Sequence, residues 1–132
     1  MKKYRQSLIK VGSCNIENFS VDCFLDPEID SSYYEFPTKK ESKCQMVIGC
    51  KDKEWSDIVD GILHELEEFL LYSMKLSYHK DDAIDIGSTG RIFFLTHDEF
   101  TEIVSKVSIV FCTLENSYKK KYKEYRTKIK KR

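Results

Sequence analysis

The spacing of apolar residues changes its period about two fifths of the way along this chain. Over residues 1–50, apolar and polar side chains alternate, most regularly in residues 19–25. Alternation with a period of two is typical of a strand with one buried face. After residue 53 the apolar residues recur every three or four positions, which is the spacing of a helix that buries one side. The pattern therefore predicts an α+β fold in which strands precede helices.

Four segments in the first part of the chain have the composition of strands. Turn-forming residues separate them, including Asp26-Pro27 after the second segment and Pro37 after the third. We predict strands that pair as antiparallel hairpins over residues 7–11, 19–25, 33–36 and 44–50.

Two long amphipathic helices are predicted in the rest of the chain. Asp52 is the expected N-cap of the first helix, which ends near residue 76. Thr96 and Glu99 have the spacing of a capping box, so the second helix begins at His97.

A polar segment between these helices, residues 79–90, is predicted to be a loop, and residues 91–95 a short strand. The predicted order is β-β-β-α-β-α. It describes an N-terminal antiparallel sheet of three to four strands, with both long helices packed on one face.

Charge is unevenly distributed, although 22 Lys and Arg balance 22 Asp and Glu. Residues 119–132 carry nine basic residues and one Glu, a net charge of +8, so residues 1–118 carry −8. We predict one domain over residues 1–118 and a basic helical extension over residues 119–132. The basic side chains expected to contact a macromolecular partner are Lys119, Lys120, Lys121, Lys123 and Arg126.

The five cysteines are an odd number and include no Cys-x-x-Cys spacing. No apolar leader or membrane-spanning stretch is recognisable. These features predict reduced thiols and a cytoplasmic protein. Cys23 and Cys44 alternate with apolar residues, so both are expected to lie in the core.

The first predicted helix contains the segment His64-Glu65-Leu66-Glu67-Glu68. It resembles the active helix of zincin-type metallopeptidases, where two zinc ligands four residues apart flank a general-base glutamate. Glu68 stands where that family has its second histidine, and a carboxylate also binds zinc. The resemblance implies a zinc ion on His64 and Glu68, with Glu65 as the general base. The same residues also fit the solvated acidic face of an ordinary helix.

A zinc site of this type needs a third ligand, for which we expect His97, with His79 as the second choice. A histidine at a helix N-terminus is favoured in its neutral form, which is the form that binds metal. Residues 62–68 and 94–100 also resemble segments of small phage-type proteins with a helix, strand, helix order. This second resemblance implies a zincin-like fold more than an activity.

Three functional hypotheses follow. The first, which we favour, is a non-catalytic interaction protein, such as a phage-encoded factor that binds or inhibits a host macromolecule, because segregated charge suits steered association. The second is a zinc-dependent hydrolase that uses the ligands and general base given above. The third is a nucleic-acid-binding module that uses the basic end of the chain.

Overall fold

The computed structural model describes residues 7–35, 43–74, 77–79, 91–93 and 96–130. For residues 43, 77–79, 91–93 and 130 it describes the backbone alone. The elements, in chain order, are β1 (Ile9–Ile16), β2 (Phe19–Asp26), β3 (Tyr33–Glu35), β4 (Lys43–Gly49), α1 (Trp55–Ser73), β5 (Ser77–His79), β6 (Arg91–Phe93) and α2 (His97–Lys130).

The first four strands form one mixed sheet in the order β1-β2-β4-β3. The outer pairs are antiparallel, as expected, but the central strands β2 and β4 are parallel. The prediction of a wholly antiparallel sheet is therefore wrong at its centre. The chain leaves β2, forms β3 on the far edge, and returns to place β4 between them. The predicted α+β class, with strands before the helices, is confirmed.

Strand β1 is longer than predicted and ends at Ile16 rather than at residue 11. Gly12, Ser13 and Asn15 have low strand propensity, so the sequence pattern does not extend over them. Pairing with β2 holds this stretch in the sheet, and the register shifts between Lys10 and Gly12.

A second sheet joins β5 and β6 as an antiparallel pair. His79, expected to begin a loop, ends β5 instead, and the predicted strand at residues 91–95 is confirmed for Arg91–Phe93. The rest of the predicted loop, residues 80–90, lies outside the described part of the chain.

Both long helices pack on the same face of the mixed sheet, as predicted. Cys23 and Cys44 lie on this face and are fully buried, and all five cysteines are free thiols. Helix α1 covers β4 and β3, and α2 covers β1 and β2. The buried apolar residues of this core are Ile16, Val21, Cys23, Leu25, Cys44, Met46, Ile48, Cys50, Ile58, Ile62, Leu66, Phe69, Leu70, Ile103, Val107, Leu114, Tyr118 and Tyr122.

Helix α1 begins at Trp55 with Glu54 as its N-cap, so the prediction of Asp52 as the cap is wrong. Asp52 instead takes a positive φ of 55° in the preceding turn, a conformation that Asp tolerates better than most residues. Asp57 accepts a hydrogen bond of 3.0 Å from the Glu54 amide. The helix ends at Ser73, earlier than the predicted residue 76.

The start of helix α2 was predicted correctly. The Glu99 carboxylate accepts a 2.8 Å hydrogen bond from the Thr96 amide. The Thr96 hydroxyl accepts a 3.2 Å bond from the Glu99 amide. This reciprocal capping box satisfies two backbone donors that a helix start leaves free. From His97 the helix continues for 34 residues into the basic end of the chain.

Helix α2 runs parallel to β2, since residues further along α2 contact residues further along β2. The Lys106 ammonium lies 2.6 Å from the carboxylate of Glu17, just before β2. Further along, the Tyr118 hydroxyl donates a 3.5 Å hydrogen bond to the Phe24 carbonyl, near the end of β2.

Helix α1 runs in the opposite direction to α2. Its first residue, Trp55, packs against Tyr122 near the end of α2. Its later residue Phe69 makes an edge contact with Phe19 at the start of β2. None of the helices in the described part of the chain has the length and apolar character needed to cross a membrane.

Candidate metal centre

Three side chains on α1 bring metal-binding atoms together. Within the described residues, His64, Glu65 and Glu68 form the one group of this kind, with an imidazole nitrogen and two carboxylate oxygens within 4.8 Å of one another. The His64 Nε2 and Glu68 Oε1 atoms are 3.0 Å apart. Two ligands of one zinc ion lie roughly 3 to 3.5 Å apart, since each is about 2.1 Å from the metal. The distance between the His64 and Glu68 atoms is therefore compatible with zinc ligands, and it is also the distance of a direct i,i+4 contact between an imidazole and a carboxylate.

The helical spacing places this group on the flank of α1 that faces β3. A Cβ atom at Gly61 would lie 3.0 Å from the Ser32 hydroxyl oxygen, so this side of α1 approaches the start of β3 closely. Glu65 is four residues after Gly61, and Glu68 three further, so both lie near the same side of the helix. Helix α2 lies over the other half of the sheet.

The three side chains differ in their access to solvent. The His64 side chain is 66% exposed and that of Glu68 is 35% exposed, whereas Glu65 is 4% exposed as a residue. The site is thus open on one side, with a buried carboxylate at its base.

Burial, together with the nearby Glu68 carboxylate, raises the pKa of Glu65 to about 7, and His64 opposes this rise. Among the described residues, no hydrogen-bond donor contacts the Glu65 carboxylate. A buried carboxylate is ordinarily paired with a cation or accepts hydrogen bonds. A cation bound beside Glu65 would neutralise this carboxylate.

His97, the predicted third ligand, is exposed at the first residue of α2 and is not part of this group. Trp55 on α1 contacts Tyr122 on the antiparallel α2. His64 is nine residues after Trp55, so it lies at the same height as Thr113, which is nine residues before Tyr122. His97 is farther along α2 by roughly sixteen residues, or about 24 Å at 1.5 Å per residue. The structure thus brings Glu65, rather than His97, to the two predicted ligands. The side chain of His79 lies outside the described part of the chain.

Two of the predicted partner-binding residues contact α1 within the molecule. The Lys119 ammonium lies 5.9 Å from the centroid of the Trp55 ring. The Arg126 guanidinium lies 3.8 Å from the Glu54 carboxylate. These contacts place positive charge from α2 at the N-terminal end of α1.

Within the described part of the chain, the other three predicted partner-binding residues make no contact with α1 that would neutralise them. Lys121 forms an ion pair of 3.5 Å with Glu124 on the same helix. Lys120 and Lys123 are exposed. Their ammonium groups are therefore accessible to an anionic partner.

Two features of the structure could not be predicted from the sequence. Glu65 was predicted as a general base, but its burial beside His64 and Glu68 depends on which flank of α1 is covered, and periodicity does not specify this. The second feature is the contact of Trp55 with α2. This contact, with Tyr122, depends on the antiparallel packing of helices that are far apart in sequence.

No protein-family model, curated protein or solved structure matches this chain. The resemblances to zincin-type metallopeptidases and to phage-type proteins therefore stay predictions based on short segments.

Proposed function

We propose that this protein binds one divalent transition-metal ion of the zinc class through His64, Glu65 and Glu68. The observation that carries the proposal is the buried Glu65 carboxylate, which lacks a hydrogen-bond donor among the described residues and lies with two other ligand atoms inside 4.8 Å. A divalent cation would neutralise this carboxylate and relieve its repulsion by Glu68.

The donor set favours zinc over the alkaline-earth ions. One imidazole nitrogen and two carboxylate oxygens are ordinary zinc ligands, whereas magnesium and calcium prefer sites made of oxygen alone. Three protein ligands leave the fourth position of a tetrahedral ion open to water. The exposed His64 side of the group is where that position faces solvent.

This ligand set supports binding better than hydrolysis. If Glu65 holds the metal, it is no longer a free general base for a metal-bound water. The hydrolase hypothesis then needs a base from elsewhere in the chain. The expectation of a non-catalytic interaction protein stays a prediction, and the opposite charges of the two parts of the chain support it.

The proposal is tested by titrating zinc into protein stripped with a chelator. We expect about one equivalent to bind to the native chain. His64→Ala, Glu65→Gln and Glu68→Gln should each weaken binding by at least about tenfold, because each removes one direct ligand. Affinity should be measured by calorimetry with magnesium present as a competitor.

Glu67→Gln is the matched control, because Glu67 is an exposed carboxylate on the same helix turn but outside the group. It removes the same charge and should change zinc affinity by less than about twofold. Equal weakening by Glu67→Gln and Glu65→Gln would show that zinc is attracted by the general negative charge of α1, and would refute the site.

A further inference from the structure

A pocket lies where the N-terminal end of α1 meets the C-terminal part of α2. Its volume is about 340 Å³, and its lining residues are Glu54, Trp55, Tyr122, Lys123, Arg126 and Thr127. This volume is within the range of pockets that bind small organic ligands. The pocket shares no residue with the candidate metal centre.

Two aromatic rings form one wall of this pocket. The ring centroids of Trp55 and Tyr122 are 5.8 Å apart, with an angle of 41° between the ring planes. The Tyr122 hydroxyl donates a 2.6 Å hydrogen bond to the Lys53 carbonyl, which fixes the orientation of its ring. Trp55 is only half-buried, so part of the indole remains available to a ligand.

Positive charge surrounds these rings. The Arg126 guanidinium lies 5.9 Å from the centroid of the Tyr122 ring, and Lys119 is equally close to Trp55. Lys123 lines the pocket and is exposed. These cations stand beside an aromatic surface, where they can hold an anionic group attached to a flat ring.

The pocket also contains a carboxylate acceptor. The Glu54 carboxylate is 78% exposed and lies 3.8 Å from Arg126. A carboxylate in this position can accept a hydrogen bond from the amino group of a nucleobase. A ligand that is only an aromatic ring has no such donor.

We propose that this pocket binds a nucleotide, with its base stacked on Trp55 and its phosphate held by Lys123 and Arg126. Stacking on an aromatic side chain beside a basic surface is the way in which proteins bind single-stranded nucleic acid. The same chemistry is present in a free mononucleotide, so the experiment has to separate the two sources.

Trp55 is the single tryptophan of the chain, so its fluorescence reports directly on this pocket. The full chain should be titrated, with chelator present, with adenosine monophosphate, a single-stranded eight-residue deoxyadenosine oligonucleotide, and ribose 5-phosphate. We expect saturable quenching by the two ligands that contain adenine. Ribose 5-phosphate should bind at least about tenfold more weakly, because it lacks the stacking base.

The ratio of the two affinities identifies the source. A strand that binds more than about tenfold tighter than the mononucleotide, with steep salt dependence, would indicate single-stranded nucleic acid. Equal affinities would indicate a free nucleotide. Absence of quenching by both at low salt would overturn the proposal.

Variants separate the pocket from the general charge of the basic end. Lys123→Gln and Arg126→Gln should each weaken nucleotide binding by about five- to tenfold, because each removes a charged phosphate contact. Lys128→Gln is the matched control, since Lys128 is exposed on the same helix and does not line the pocket. Equal weakening in all three variants would mean that charge alone attracts the ligand, which contradicts the pocket.

Discussion

The two long helices differ in the hydrogen bonding of their buried polar groups. Helix α2 buries the phenols of Tyr118 and Tyr122, and each hydroxyl donates to a backbone carbonyl. Helix α1 buries the carboxylate of Glu65, to which none of the described residues donates a hydrogen bond. A buried polar group with a partner contributes to a stable fold, whereas one without a partner reduces stability. The comparison shows that the two phenols have backbone partners within the fold, whereas Glu65 has no donor among the described residues, which is why we propose a metal ion there.

The largest expected effect comes from replacing Glu65 by Gln in metal-free protein. The folded-state pKa of about 7 lies above the 4.5 of an ordinary glutamate, so between these values the folded chain holds a proton that the unfolded chain has released. Stability should therefore fall as pH rises from about 4.5 to 7, by up to about 3 kcal/mol. Glu65→Gln should unfold with a higher free energy than the native chain at pH 8, and with a similar one at pH 4.5.

Chemical denaturation at the two pH values measures this difference, with chelator present throughout. Glu67→Gln provides the control, because its exposed carboxylate should shift stability by less than about 0.5 kcal/mol at either pH. A Glu65→Gln variant that is less stable than the native chain at pH 8 would mean that the carboxylate has a stabilising partner, and the contrast between the helices would fail.

The next largest effect is expected for Tyr122→Phe. This change removes a 2.6 Å hydrogen bond and leaves the Lys53 carbonyl without its donor. We expect a loss of about 1 to 2 kcal/mol in the free energy of unfolding, with little dependence on pH. Tyr125→Phe is the matched control on the same helix, because no described residue hydrogen bonds to that hydroxyl. Equal losses in the two variants would assign the effect to the ring environment and not to the hydrogen bond.

The smallest effect is expected for Tyr118→Phe. Its hydroxyl is 3.5 Å from the Phe24 carbonyl oxygen, at the long limit of a hydrogen bond. Burial raises the pKa of Tyr118 well above its ordinary value, so the phenol stays neutral from pH 4.5 to 8. We expect a loss below about 1 kcal/mol that is the same at both pH values. A larger loss than for Tyr122→Phe would reverse the order that the distances predict.

Local features of the sequence predicted the elements that depend on near neighbours. The capping box of Thr96 and Glu99 involves residues three positions apart, and the structure confirms it. The parallel pairing of β2 with β4 was missed, because strand patterns specify a buried face but not the neighbouring strand. The cap of α1 was assigned to Asp52 on residue type alone, whereas the turn before the helix uses Asp52 for a positive φ.

The candidate metal centre was predictable only in part. Helical spacing alone predicted that His64 and Glu68 approach each other, and their atoms are 3.0 Å apart. The burial of Glu65 follows from the packing of α1 over β4 and β3, which is tertiary information. The choice of His97 as a ligand depended on the relative positions of two distant segments, for which a single sequence holds no direct signal.

The zinc X-ray absorption spectrum of the native chain, loaded with one equivalent of the metal, tests the central claim most directly. The account predicts a coordination shell of nitrogen and oxygen at about 2.0 to 2.2 Å, including one imidazole. We expect this shell to be lost in Glu65→Gln. A shell with sulfur at about 2.3 Å would place zinc on the cysteines instead. That result, or a spectrum unchanged by Glu65→Gln, would contradict a metal centre built on His64, Glu65 and Glu68.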